Sequence, residues 1–452
     1  MEVPNRAKGM KDVLPEDHKY LTFLKKVARH EFRKNGFKRI STPVLEKKEL
    51  FVKSIGEGTD VVDKEMFEII DKKGRSLVMR PECTAGVMRA YINADLQSEP
   101  QPVYLYYMEP QFRYDRPQKG RYREFYQIGA EAIGESDPVL DALLILRGYM
   151  ILNKVGLEGD FKIKLNSIGN SKEREKYREA LRDFYENKRG VLCKDCQRRM
   201  DGNILRLLDC KNEDCQILKA QAPQITKFFK KASKEHYAKV KEYLEIMEVP
   251  YEEDHTLVRG LDYYCHSVWE YVSASTTSQN AFGGGGRYDG LAEAIGNKKE
   301  IPAVGFALGA ERIIEAIQEK GLKIKDKDKI SLYFIQLGEE AKKLVLPLAI
   351  KARAKGVNTQ ASLGSPSLKT QLKKANRLNA KYVAIVGIME ARNGVAQVKD
   401  MEAGTQEEVK LENLLDYIIE KIGEENLDFY SPSRDWIIEE KTEIEDNKKP
   451  EE

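Results

Sequence analysis

From Asp17 to Asn35 apolar residues recur at helical spacing. Leu21, Leu24, Val27, Ala28 and Phe32 share one face and Gly36 stands where a C-terminal cap belongs, which predicts an amphipathic helix. Residues 39–45 read as an extended edge or boundary segment, because Pro43 cannot donate to a ladder. Short strands are predicted over 103–107, 125–133 and 267–272, with turns rich in Pro, Gly and charge between them. Strands that follow strands favour an antiparallel α+β sheet over a parallel doubly wound one. From 171 to 250 the pattern turns helical and rich in Lys and Glu, and this stretch holds four of the six cysteines. Strand and glycine signals resume behind it, so it reads as a helical insertion. Lys and Asp alternate over 323–329, a solvated boundary composition. Segments 331–336, 339–355, 357–361, 367–379 and 382–386 then alternate strand and helix, which predicts a small α/β domain with a mostly parallel sheet. The expected organisation is a unit over 1–325 with an insertion at 171–250, an α/β domain over 330–423, and an acidic extension over 424–452.

Length changes little in this picture: 452 residues suggest two or three domains. The chain is 41% apolar and 33% charged, which excludes a disordered, collagen-like or disulfide-stapled protein. No stretch reaches the about 18 apolar residues of a membrane span, and the longest, near 143–155, is broken by Arg147. The first residues carry charge and Pro4 without an apolar core, so no secretory signal, no membrane partner and a reducing cytoplasm are expected.

Charge changes more. The total is +3, from 76 Lys and Arg against 73 Asp and Glu. Residues 424–452 hold eleven acidic and four basic residues, a net of −7, which leaves +10 for the body. Residues 351–381 carry eight Lys or Arg and no acid, and within them Lys369, Lys373 and Arg377 recur every four residues on one helix face. Such a one-sided basic face suits a phosphate backbone, whereas solvated faces usually mix signs.

Four segments carry candidate chemistry. As a strand, 125–133 puts Tyr126, Ile128, Ala130 and Ala132 on a packing face and Gln127, Gly129 and Glu131 on the other. That second face offers an amide and a carboxylate around a gap, either a pocket for a small polar ligand or an exposed face with a glycine bulge. Residues 112–124 place four Arg and one Lys in a turn-rich loop. Arg113 sits at a strand end, where a rigid guanidinium suits a phosphate, while Arg116, Arg121 and Arg123 form a cationic finger or a solvated hairpin tip. Residues 257–264 (Leu-Val-Arg-Gly-Leu-Asp-Tyr-Tyr) precede Gly283 to Gly286, whose backbone can approach a ligand closely and whose amides can cradle an anion. No Lys-Ser/Thr follows, so this is not a Walker loop. Arg312 lies in a glycine-punctuated strand-to-helix segment, and Arg113, Arg259 and Arg312 together fit a triphosphate. Cys193-x-x-Cys196 with Cys210 and Cys215 has zinc-like content but an irregular second pair, compatible with bound zinc or with four thiols. The five histidines do not cluster with them.

These segments resemble the histidyl-tRNA synthetases, a class II aminoacyl-tRNA synthetase family. Residues 36–46 resemble motif 1 at the dimer interface, 112–131 motif 2 and 305–312 motif 3. Residues 257–264 and 283–291 resemble the two histidine-specific signatures, and 80–86 the amino-acid-binding turn. The resemblance covers about residues 4–420 and implies an antiparallel catalytic domain with a helical insertion and a C-terminal α/β anticodon-binding domain. It implies a histidine–tRNA ligase that takes L-histidine, ATP with Mg2+ and tRNA(His), and works as a homodimer. By the same resemblance Glu82, Thr84 and Gln127 hold the substrate's α-amino group. Glu131 and Tyr264 bind the imidazole, and Tyr263 lines the pocket. Arg113 and Arg259 meet the α-phosphate and Arg312 the terminal phosphate, with Arg259 where related enzymes place a metal ion. Arg116, Arg121, Arg123, Lys369, Lys373 and Arg377 are expected at tRNA. Cys83 replaces a usual glycine and is expected to crowd the amino-acid turn slightly, and Asp115 replaces a usual glutamate. The competing reading is a non-catalytic, synthetase-like regulatory subunit of histidine biosynthesis.

Overall fold

The computed structural model describes residues 3–56, 59, 61–118, 120–274, 281–324, 329–362, 364 and 367–428. The chain divides into two compact units, Met1–Ile324 and Lys325–Glu452. Trp436, Ile437 and Ile438 of the acidic extension, and 325–328 of the charged boundary, lie outside the described residues.

In the first unit, helix α1 (Pro15–Lys34) opens with Pro15, Glu16 and Asp17 and closes on Arg33 and Lys34, charges that suit its dipole. It buries Leu21, Leu24, Ala28 and Phe32, and Gly36 takes a positive φ of 81° behind it. Eight strands form the main sheet: β1 (Lys38–Arg39), β2 (Val103–Phe112), β3 (Glu124–Ile133), β4 (Phe161–Ser167), β5 (Glu252–Glu253), β6 (Cys265–Ser273), β7 (Ala281–Arg287) and β8 (Ala303–Gly309). Their order is β1-β2-β3-β8-β7-β6-β4-β5. The two short edge strands pair in parallel and every other pairing is antiparallel.

The expected strand at 39–45 is divided. Lys38–Arg39 edges the main sheet, while Leu45–Lys47 joins a smaller antiparallel sheet with Ser76–Met79 and Phe67–Ile70. Pro43, with no amide to donate, sits where the chain changes sheets.

One face of the main sheet is sealed by α1, α3 (Val139–Leu152) and α8 (Ala310–Glu319). Leu24, Phe32, Leu144, Ile145, Ile313 and Ile317 pack there against Ile128, Ala130, Trp269, Phe306 and Leu308. The opposite face carries a second apolar cluster that includes Leu105, Tyr107 and Val268, with the buried carboxyl of Glu131 beside it. Helix α2 (Thr84–Asn93) starts beside that face. The insertion leaves after β4, runs through α4 (Ser171–Glu186), α5 (Lys194–Asp201), α6 (Glu213–Ala220) and α7 (Lys231–Ile246), and returns at β5 alongside β4. Its regular elements are all helices, joined by turns.

In the second unit β9 (Leu332–Gln336), β10 (Thr359–Ala361), β11 (Tyr382–Val386), β12 (Val395–Asp400) and β13 (Gln406–Lys410) stand in the order β10-β9-β11-β12-β13. Two pairings are parallel and two antiparallel, so the sheet is mixed rather than mostly parallel. The antiparallel part is the hairpin over 395–410, whose outer strand β13 is mostly exposed and shows no apolar alternation. Helices α9 (Glu339–Ala354), α10 (Leu368–Arg377) and α11 (Leu414–Ile422), with a short helix at Ile388–Asn393, accompany the sheet. Among the described residues no helix is long and apolar enough to cross a membrane.

Candidate active site

The site is built on the face of the main sheet away from α1, α3 and α8. Along β3, Ile128, Ala130 and Ala132 enter the core, and Gln127, Gly129 and Glu131 occupy the other side. Tyr107 stands opposite Gly129 in the ladder, fills the space above it, and donates its hydroxyl to Glu131 Oε1 at 3.2 Å. Thr84 Oγ1 donates to the same oxygen at 2.8 Å, and the Tyr288 hydroxyl donates to Oε2 at 2.5 Å. Gly305 faces Glu131 from β8, where an added Cβ would lie 1.5 Å from Oε2. Glu131 is 1% exposed. Burial pushes its pKa up to about 8, against the pull of the three hydroxyls.

Glu82 is buried at the start of α2, where its carboxylate accepts the amides of Thr84 at 2.6 Å and Ala85 at 2.9 Å. Burial raises its pKa although these amides and Arg113 oppose the shift. Tyr263 and Tyr264 pack with ring centres 4.6 Å apart, and the Arg259 guanidinium lies 5.8 Å from the Tyr264 ring centre.

The arginines are held by fixed groups. Arg113 Nε donates to the Pro81 carbonyl at 2.9 Å, with its guanidinium over Phe125. Arg312 donates to the carbonyls of Gly120 and Ala281 at 3.0 and 2.8 Å. Its pKa is lowered by burial and then by the neighbouring Arg121 and Arg113. Arg259 forms an ion pair with Glu270. An added Cβ on Gly284 would lie 2.7 Å from Arg259 Nη1. Glu82, Thr84, Gln127, Arg113, Arg259, Tyr263, Tyr264 and Arg312 all line one cleft of about 410 Å³. Two of its polar atoms are buried without a hydrogen-bond partner: the acceptor Gln127 Oε1 and the donor Arg259 Nε. Such orphans await a ligand donor and a ligand acceptor respectively.

Several expectations change. Gly283 to Gly286 are not an anion-cradling loop but the middle of β7, paired on both sides, and they clear space for Arg259 and Tyr264. Glu131 does not itself line the cleft; it stands one layer back, behind Thr84, Tyr107 and Gly305. The loop over 112–124 is not a row of free cations. Arg121 pairs with Asp115 and, at 3.6 Å, with Glu65 beside the cleft. Arg123 stacks 3.6 Å over Tyr114 and donates to the Asp115 carbonyl. Arg116 is exposed. Cys83 does not crowd the turn; it is buried in the core below and takes a hydrogen bond from Gln111 at 2.9 Å. In the second unit Lys369, Lys373 and Arg377 are exposed on α10, opposite buried Gln371 and Ala375. Tyr107, Tyr288 and Glu270 were missed as site residues. Tyr107 was legible in principle, since a tyrosine directly opposite Gly129 on the neighbouring strand has room to lie across it.

An antiparallel sheet with an arginine-lined cleft on one face, in a chain whose second unit carries a basic helix, is the architecture of a class II aminoacyl-tRNA synthetase. The family profile described as histidyl-tRNA synthetase matches residues 9–313, and an anticodon binding domain profile matches residues 331–421. The histidine–tRNA ligase of Halothermothrix orenii is 42% identical over 409 residues, covering 90% of this chain and 97% of that protein. That of Thermotoga petrophila is 41% identical over 420 residues, covering 93% and 99%. The crystal structure of apo Staphylococcus aureus histidyl-tRNA synthetase superposes with a TM-score of 0.77 at 33% identity, covering 92% of this chain and 100% of that one. The chain belongs to the histidyl-tRNA synthetase family. The regulatory-subunit reading is not favoured, because relatives matched along nearly their whole length are ligases.

Proposed function

We propose that the chain is a histidine–tRNA ligase: it joins L-histidine to ATP as histidyl-adenylate, releasing pyrophosphate, and passes histidine to the 3′ end of tRNA(His). Beyond family membership, the observation that carries the site assignment is the pair of orphaned atoms in one cleft, Gln127 Oε1 and Arg259 Nε.

The substrate's α-ammonium donates to Gln127 Oε1, near the buried Glu82 and the Thr84 hydroxyl. Its imidazole lies against Tyr264 and reaches the Glu131 layer, where a ring N–H finds an acceptor and the other ring nitrogen a hydroxyl. A side chain without that pattern leaves buried polar groups unpaired, which discriminates strongly. The substrate carboxylate then attacks the α-phosphorus. Negative charge grows on the phosphoryl oxygens, where Arg113 and Arg259 supply preorganised donors, while Arg312 holds the terminal phosphate. ATP enters as its magnesium complex; the cleft carboxylates Glu65 and Glu270 are oxygen donors of the kind Mg2+ accepts. No protein nucleophile is required, since the 3′-terminal ribose hydroxyl attacks the activated carbonyl.

Arg116 on its exposed loop, with Arg121 and Arg123 bracing that loop, serves the tRNA end, and Lys369, Lys373 and Arg377 serve the anticodon arm. Exposed Val44 and Leu45 in the 36–46 segment support a homodimer contact there, and the enzyme works in the cytoplasm. Charging of a tRNA(His) transcript with labelled histidine tests the reading. Acid-precipitable label that requires ATP, histidine and transcript together is expected, and its absence with all three present overturns the proposal.

A further inference from the structure

The four insertion cysteines converge although their sequence spacing looked irregular. Cys193 caps the start of α5 and Cys196 lies in its first turn. Cys210 ends the 3-10 turn Ile204–Asp209, and Cys215 lies in the first turn of α6. The extra residues of the second pair form a turn in which the Asn212 side chain accepts the Cys215 amide at 3.3 Å, and Gln216 Nε2 donates to the Cys210 carbonyl at 3.1 Å. All four sulfurs lie within 4.8 Å of one another, and Cys196, Cys210 and Cys215 are buried. Cys193 Sγ and Cys210 Sγ are 3.8 Å apart, and the Cys193 amide donates to Cys215 Sγ at 3.4 Å.

We propose that these residues form a four-thiolate structural site for one zinc ion. Zinc–sulfur bonds of about 2.3 Å in a tetrahedron place the sulfurs about 3.8 Å apart, the separation found between Cys193 and Cys210. The spacing is too tight for a multi-iron cluster, whose ligand sulfurs stand farther apart than those around a single ion. On binding, the four thiols release four protons to solvent and the ion keeps its charge, so no redox partner is needed. An amide aimed at a sulfur, as from Cys193, favours the thiolate form.

The site is not remote from the cleft. Arg206 and Asp209, in the turn that ends at Cys210, line the cleft wall. Asn203, just before that turn, donates to Asp262 at 2.6 Å, next to Tyr263. Zinc at the four cysteines pins this wall, and its metal content can be read without any activity measurement.

The test is elemental analysis of the full chain purified without chelator and dialysed, with about one zinc per chain expected. Cobalt(II) loaded into metal-stripped protein is expected to give the thiolate charge-transfer bands and visible bands of a tetrahedral sulfur site. Cys210→Ser and Cys215→Ser are each expected to lose most of the zinc, while Cys265→Ser, outside the cluster, keeps it. Substoichiometric zinc with four titratable thiols, or a disulfide within the set, overturns the proposal. So does cobalt without charge-transfer bands, which holds even if the serine variants fold poorly.

Discussion

The two ends of the cleft solve opposite problems. At the end proposed for the amino acid a carboxyl, Glu131, is withdrawn behind the wall and met by three hydroxyls. At the end proposed for the phosphates Arg113 and Arg312 are tied to backbone carbonyls and Arg259 to Glu270. The first arrangement makes mismatch costly, because a side chain without the matching pattern leaves a dry polar group unpaired. The second keeps positive charge in position before the reaction, so little reorganisation accompanies charge development. On the proposed function selection and acceleration are separated along one cleft, and substitutions at its two ends are expected to fail differently.

The largest effect is expected at Arg259. Arg259→Ala removes the donor whose Nε has no internal partner, and pyrophosphate exchange is expected to slow on the order of 10² or more with little change in histidine affinity. An unchanged exchange rate would remove Arg259 from the reaction. Glu131→Gln is expected to lower kcat/KM for histidine roughly 10- to 100-fold, as mismatching a buried hydrogen-bonding group does, while KM for ATP holds. Equal losses for both substrates would collapse the contrast between the two ends. Tyr288→Phe removes one of the three hydroxyls and is expected to cost about tenfold in the same parameter.

A stability measurement sharpens the comparison without catalysis. Glu131 is raised from 4.5 to about 8 by burial, so between those values the folded chain keeps a proton that the unfolded chain releases. Its contribution is fully present below pH about 4.5 and is lost progressively as pH rises to about 8. Denaturant titration of empty Glu131→Gln is therefore expected to gain on the parent across that window. A constant difference between the two proteins at all pH values contradicts the buried-carboxyl account. The smallest effect is expected at α10. Neutralising Lys373 and Arg377 is expected to weaken tRNA binding several-fold and flatten its salt slope by about one per charge removed, with pyrophosphate exchange unchanged.

Much of this fold was legible in periodicity. The α1 stripe, β3 and the helical insertion announce themselves because local pattern and burial agree. The hairpin over 395–410 did not, because β13 is mostly exposed and carries little apolar signal. Along β3, alternation alone separates Ile128, Ala130 and Ala132 from Gln127 and Glu131. What alternation cannot supply is depth: Glu131 stands behind Tyr107 and Thr84, and Tyr288 reaches it from 157 residues away. The glycine run misled for the same reason, since bare backbone in a loop and in a central strand have the same composition. Arg121 and Arg123 carried a loop signal, but their partners, Asp115, Glu65 and Tyr114, depend on how the loop folds back.

The central claim is that the Glu131 layer selects histidine for reaction at the arginine end. ATP–pyrophosphate exchange with each of the twenty amino acids tests it most directly. The account predicts exchange with histidine alone, and exchange driven equally well by an amino acid lacking the imidazole contradicts it.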